Sequence, residues 1–304
     1  MRSKIKQSLL KYNTLRRIVQ FLSFILFSAI ISASLPLLLP VLWTWSLQQN
    51  TVGDAFTAIQ LMLYDVVFPW LALASFLLLG VLVGKSLCGW ICPFGFIQDL
   101  VGFIKRKQTE FSLRTHESMV YVKYAILGIT LFISVTFSAA KFAGASESYA
   151  NALDIFVKVP FTAVSPAETL FATIPKMVLD FNNAVSANQI DVFSAVANLP
   201  PLFWVQLFIM AGVLVFAAYI PRSWCKYLCP HGAIMAIMNR FSFLGLRRDL
   251  HKCPKGTCRR CVEVCPMRVP ILDLPWEKFS DPECIYCLKC VDACPNKAIK
   301  IKYP

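Results

Sequence analysis

Residues 86–95 read SLCGWICPFG, and residues 223–232 read SWCKYLCPHG. They share one pattern: Ser, a bulky apolar residue, Cys, three residues, Cys-Pro, one residue, Gly. The copies lie 137 positions apart. Each follows a long apolar run and opens an amphipathic segment, PFGFIQDLVGFIKRK at 93–107 and PHGAIMAIMNRFSFLGLRR at about 230–248. Proline favours the first turn of a helix. Cys92 and Cys229 are therefore expected at helix N-termini, where partial positive charge lowers a thiol pKa. An apolar stripe with a basic end suits a helix lying in a membrane interface. The chain reads as two copies of one unit: two apolar spans, the cysteine motif, then an interfacial helix.

The 304 residues are 57% hydrophobic and only 15% charged, against about 25% charged in soluble domains. Four stretches reach the roughly 20 residues that cross a bilayer as a helix: about 18–42, 66–84, 118–140 and 202–220. Four such runs are too many for the core of a soluble protein. The first carries a faint cleavage-like SAS at 32–34. Its apolar run still exceeds the roughly 7–15 residues of a signal peptide.

Basic residues alternate with the spans. Arg2, Lys4, Lys6, Lys11, Arg16 and Arg17 precede the first, and the loop at 43–65 has none. The loop at 85–117 holds Lys85, Lys105, Arg106, Lys107 and Arg114; the loop at 141–201 holds only Lys141, Lys158 and Lys176; the tail from 221 holds fifteen. By the positive-inside rule both termini and both motifs are cytoplasmic, in a multi-pass protein of the plasma (inner) membrane. The net charge of +13 then reflects topology and anionic lipid rather than nucleic acid.

The expected spans contain no Asp, Glu, Arg or His, which disfavours proton pumps and ion carriers. Lys123, near a span end, is expected to snorkel outward. The only histidines, His116, His231 and His251, lie outside the spans, and no Cys-x-x-Cys-His occurs. No haem is expected.

Twelve cysteines divide into the two motif pairs and eight between 253 and 294, all on the expected cytoplasmic side, so disulfides are not expected to hold the protein together. Cys284, Cys287, Cys290 and Cys294, followed by Pro295, form the C-x2-C-x2-C-x3-C-P run of bacterial [4Fe–4S] ferredoxins. Cys253, Cys258, Cys261 and Cys265, followed by Pro266, repeat it with an x4 first gap. In two-cluster ferredoxins the fourth cysteine of each run ligates the other cluster. One cubane is assigned Cys253, Cys258, Cys261 and Cys294, the other Cys284, Cys287, Cys290 and Cys265. Structural zinc also uses Cys-x2-Cys pairs, but the doubled C-x3-C-P argues for clusters. A tail this basic helps hold anionic cubanes, attracts an acidic redox partner, or simply faces the membrane.

Cys88 with Cys92, and Cys225 with Cys229, are spaced to share a helix face, and a pseudo-two-fold repeat brings the four thiols towards one axis. Three readings stay open: ligands of a further iron–sulfur cluster or metal, redox-active dithiols, or inert helix caps.

Two CxxxCP motifs with a double-cluster tail resemble the NapH/NosR-type membrane ferredoxins over about residues 18–300. The resemblance implies quinol oxidation and electron delivery to a reductase system. The compact NapH-like form fits better, because the flavin-carrying extracytoplasmic domain of the larger NosR type is missing. The x4 gap departs from the motif and makes Cys253 the least secure ligand.

The expected architecture has a basic cytoplasmic N-terminus (1–17), an all-α four-helix transmembrane domain with a two-fold internal repeat (18–248), and a small α+β two-cluster bacterial-type ferredoxin domain (249–304). The expected function is membrane-bound electron transfer between the quinol pool and a redox protein partner, as a quinol dehydrogenase or electron-transfer subunit. The alternatives are a copper reductase or assembly factor of the FixG type, and a redox-sensing binding protein. In the 141–201 loop, SPAE at 165–168 reads as a capping box. It predicts a helix to about 180, with a second near 184–198, that caps the membrane domain or docks a partner. A quinol site needs an apolar slot and a proton acceptor. Asp54 and Asp65, near Trp43, Trp45 and Trp70, are expected on the outer side, and His231 on the inner side.

Overall fold

The computed structural model describes residues 2–27, 54–103, 111–186, 200–255 and 257–303. The fold is mostly helical. Arg2–Phe27 is one continuous helix, so the basic N-terminus runs unbroken into the first apolar stretch. The rest of that expected span, with Trp43 and Trp45, lies outside the described residues.

Two helices are long and apolar enough to cross a membrane: Leu113–Phe142, with a mean hydropathy of 1.8, and Pro201–Tyr219, with 2.1. They cover the third and fourth expected spans. Ser112 starts the first of these, its hydroxyl accepting the Thr115 N–H at 3.2 Å. Pro201 opens the second.

The span expected at 66–84 differs. The chain turns with Val66 at φ 59°, and the helix that follows, Trp70–Val83, has 14 residues. At 1.5 Å per residue it rises about 21 Å, short of a roughly 30 Å hydrocarbon core. Residues expected in the outer loop instead form their own helix, Ala55–Tyr64. Asp54 caps it by accepting the Thr57 N–H. This helix packs against Trp70–Val83 and Val122–Phe142. Among the described residues, two helices thus reach span length, beside a hairpin of shorter apolar ones.

Ser165 and Pro166 begin a helix as expected, although the Ser165 side chain makes no capping bond. Pro166–Glu168 continues through a π-turn, Thr169–Thr173, into Ile174–Ser186. Most of the second expected helix lies outside the described residues. Ala167 and Phe171 pack against Cys92, Cys225 and Cys229, so this segment walls the cysteine motifs.

The C-terminal unit closes on an antiparallel pair of strands, Gly245–Arg248 with Ile299–Lys302, in register Gly245↔Lys302 to Arg248↔Ile299. It therefore takes in residues that precede position 249. Leu246, Met267, Val269, Ile271, Phe279 and Ile285 form its core.

Candidate iron–sulfur centres

Cys265, Cys284, Cys287 and Cys290 line one small cavity of the C-terminal unit. This is the crossed ligand set expected for the second cubane. Arg268 and Lys297 each stand three residues after the last cysteine of a run, and both adopt left-handed backbone, at φ 58° and 49°. L-residues avoid that region at a cost of roughly 1–2 kcal/mol. Here it turns the next N–H inward. Val269 N–H reaches the Cys265 Sγ at 3.4 Å, and Ala298 N–H the Cys294 Sγ at 3.2 Å. Such successive turns form anion-binding nests. Tyr286 and Leu288, between the ligands of the second run, are also left-handed.

Burial pushes the Cys265 thiol up to about 11, and raises Cys284 and Cys290. Thiolates in so dry a place need a cation among them, which the irons of a cluster supply. Cys261 is likewise raised by burial, with Cys253 and Cys258 beside it. Among the described residues, no three His, Cys, Asp or Glu side chains close in as around a single ion. The donor set and its N–H cradles suit a cubane, whose thiolates stand further apart.

The two CxxxCP motifs meet. Cys92, Cys225 and Cys229 share one buried cluster with Phe94 and Trp224. Cys88 lies within electrostatic reach of Cys225 and Cys229. Gln98 donates to the Cys225 Sγ at 3.2 Å, and Gly232 N–H to the Cys229 Sγ at 3.5 Å. Gly95 N–H does the same for Cys92. The motif glycines have a steric reason. A Cβ on Gly95 would sit 3.2 Å from the Cys88 carbonyl, and one on Gly232 only 2.9 Å from the Cys225 carbonyl.

Cys92 and Cys229 cap the helices Pro93–Val101 and Pro230–Asn239, as expected. Their thiols are nevertheless raised rather than lowered, because burial and the neighbouring thiols outweigh the helix N-terminus. Cys88 is pushed up to about 11, again mainly by burial.

The first motif is clamped to the C-terminal unit. A Cβ on Gly89 would fall 2.2 Å from the Ile285 carbonyl. Trp90 Nε1 donates to the Tyr286 carbonyl at 2.9 Å. Asn239 Nδ2 donates to the carbonyls of Asp281 and Cys284. Lys85 bonds Glu283 at 2.8 Å, and Lys123 bonds the same carboxylate. Lys123 thus does not snorkel; it is fully buried. Arg222 donates to the Cys88 carbonyl at 2.8 Å and pairs with Asp99 at 2.6 Å, where Arg16 also arrives at 3.1 Å. The paired cations hold the Asp99 carboxyl well below the usual range, and Arg222 is raised in return.

Sequence reasoning missed Lys85 and Arg222. The signal was present, since each stands three residues before the first cysteine of its motif. Asp54 and His231, expected on opposite sides, are 3.7 Å apart. The hairpin carries Asp54 in to the buried ring of His231, which Phe56 and Phe76 flank. Asp65 stays at the hairpin turn, and Trp70 is largely exposed.

A family described as "4Fe-4S binding domain" matches residues 65–109 and again 202–250, and one described as "4Fe-4S dicluster domain" matches 251–299. The first family thus falls once on each CxxxCP copy. The putatively titled electron transport protein YccM of Escherichia coli is 26% identical over 74% of this chain, and the chain spans 53% of that relative. Regulatory protein NosR of Pseudomonas aeruginosa is 26% identical over 71% of this chain and 25% of its own length. Ferredoxin-type protein NapH of Haemophilus influenzae is 25% identical over 88% of this chain and 75% of its own. No solved structure matches the chain. Matches to 4Fe–4S families in both halves, with relatives of these names, make the chain similar to the NapH/NosR-type ferredoxins, which are iron–sulfur electron-transfer proteins.

Proposed function

We propose that the protein is a multi-pass membrane electron-transfer subunit, with both termini cytoplasmic, that passes electrons between the quinol pool and a redox partner. Two [4Fe–4S] clusters sit in the C-terminal unit, one on Cys253, Cys258, Cys261 and Cys294, the other on Cys284, Cys287, Cys290 and Cys265. The repeated cysteines Cys88, Cys92, Cys225 and Cys229 hold a further iron–sulfur group between membrane and ferredoxin. These groups supply one-electron transfer; the protein supplies thiolates, N–H cradles and buried cations.

The observation that carries this reading is the contact of Gly89 with Ile285. It sets the meeting point of the two motifs directly against the loop that bears Cys284 and Cys287. Iron and acid-labile sulfide per chain, on anaerobically purified protein, test it. Two cubanes alone give about eight irons. About ten to twelve, falling when Cys88 or Cys225 is changed to Ser, supports the third group. About eight, with those four thiols open to labelling, would sink it and favour dithiol or copper chemistry.

A further inference from the structure

The two cysteine sets of the C-terminal unit are not equally placed. Cys265, Cys284, Cys287 and Cys290 surround a small internal cavity beside Ile285, the residue that Gly89 of the first CxxxCP motif meets. Cys253, Cys258 and Cys294 are half-buried, and their neighbours Lys252, Arg259 and Pro295 are exposed.

The fold gathers cations around this outer set. The Asn296 side chain donates to the Lys252 carbonyl at 2.9 Å, and the Asp249 N–H to the Ala298 carbonyl at 2.8 Å. The loops before Cys253 and after Cys294 therefore lie side by side. They continue into the strand pair, whose register sets Arg247 opposite Lys300, both exposed. Like charges directly opposite in an antiparallel pair are destabilising. Arg259, Arg260 and Lys297 are exposed as well. Lys252 approaches Asp249 at 3.8 Å. Among the described residues, no carboxylate pairs with Arg247, Arg259, Arg260, Lys297 or Lys300. The ladder starts at the end of helix Trp70–Val83, where the Phe243 N–H and the Tyr303 hydroxyl bond the Val81 and Leu82 carbonyls. It runs from there for about 10 Å, at about 3.3 Å per residue, to the loops of Cys253 and Cys294.

We propose that this basic surface, over Cys253, Cys258 and Cys294, docks an acidic protein that carries a one-electron centre, and that electrons cross there. The inference rests on the electron-transfer reading above and names the cluster, the surface and the charge of the partner. A surface of one sign repels itself and adds nothing to the fold, but it raises the rate of encounter with the opposite sign. Electron tunnelling needs centres close together, so a partner must meet the chain where a cluster set reaches the surface. The outer set does so; the inner set lies against the first motif. One electron leaves the cluster on the outer cysteines as one enters the partner's centre, or the reverse. No bond forms or breaks, and no proton moves. Anionic lipid is the other chemistry that such a surface attracts. The course of the ladder, away from the end of the apolar helix, favours a protein.

The test uses the full-length protein in detergent, purified anaerobically, reduced with dithionite and freed of excess reductant. Oxidised flavodoxin, an acidic one-electron acceptor, is mixed with it in a stopped-flow cell. Methylene blue, a small cation, is the control for intact, accessible clusters. The second-order rate with flavodoxin should fall on the order of tenfold between about 50 and 500 mM salt. Arg247→Glu with Lys300→Glu, and independently Lys252→Glu, should slow flavodoxin reduction at low salt on the order of tenfold and leave methylene blue reduction unchanged. Arg247→Gln with Lys300→Gln should flatten the salt dependence and raise the thermal midpoint, because a like-charge pair is relieved. A lower midpoint would make that pair structural and count against the surface. A salt-independent rate, or charge-reversed variants as fast as wild type, would overturn it. So would a wild type that reduces methylene blue and not flavodoxin. In phosphatidylglycerol nanodiscs, amine acetylation should still reach Lys252 and Lys300. Protection there, absent in phosphatidylcholine, would give the surface to lipid and overturn the docking proposal. If reduced wild type passes electrons to neither acceptor, the electron-transfer reading itself falls, and this surface with it.

Discussion

Lys85 and Arg222 occupy the same place in the two repeats, and both are fully buried. Each meets a carboxylate shared with a second cation: Glu283 between Lys85 and Lys123, Asp99 between Arg222 and Arg16. The Asp99 trio therefore carries one surplus positive charge close to the cysteine motifs. Positive charge favours the more negative, reduced form of an iron–sulfur group. With the iron–sulfur group proposed on the repeated cysteines, Arg222→Gln is expected to lower that group's midpoint potential, read by redox titration with electron paramagnetic resonance; an unchanged potential would limit Arg222 to a purely mechanical role. Removing the carboxylate is expected to cost more. Glu283→Gln leaves two lysines buried without a counter-charge, and breaking a buried pair typically costs about 3–5 kcal/mol. Thermal unfolding followed by loss of cluster absorbance checks this, and Glu283→Asp should recover part of the loss.

Among the elements, the two CxxxCP helical turns do different work. In the first, the glycine after Cys88 lets the motif press on Ile285; in the second, Lys226 stands at the corresponding position. Gly89→Ala places a methyl against a backbone carbonyl that cannot swing aside. It is expected to destabilise the contact by about 1–3 kcal/mol and to expose the junction to limited proteolysis before Gly95→Ala does, whose Cβ meets its carbonyl at the milder 3.2 Å. Equal protease resistance of the two variants would contradict the assigned role of the junction. The N-terminal helix joins the same assembly, since Asn13 N–H donates to Asp292 at 3.0 Å and Gln20 to the Gly89 carbonyl at 3.0 Å. The motif glycines and prolines could be read from the pattern. The asymmetry between the copies could not, because it depends on which motif the C-terminal unit rests upon.

At the scale of the molecule, the described apolar helices, cysteine motifs and C-terminal unit pack together around buried charges. Reporter fusions at the two termini are expected to report the same, cytoplasmic side; opposite sides would mean an odd number of crossings and would remove the proposal that both termini are cytoplasmic. Cysteine spacing, chain charge and apolar periodicity are local properties of the chain. They sufficed for the ferredoxin runs, for the repeated motif, for the helix N-termini at Cys92 and Cys229, and for the two long apolar helices. Tertiary structure alone decided which distant groups meet. Asp54 reaches His231 because a turn at 65–69 folds two short helices into a hairpin where an outer loop followed by one span was expected. Lys123 is buried because Glu283 arrives from another domain. The thiols at the helix N-termini are raised because four motif cysteines crowd into one dry pocket. Spacing along a chain specifies ligands, but desolvation and charge pairing depend on packing, and packing is set by residues far apart in sequence.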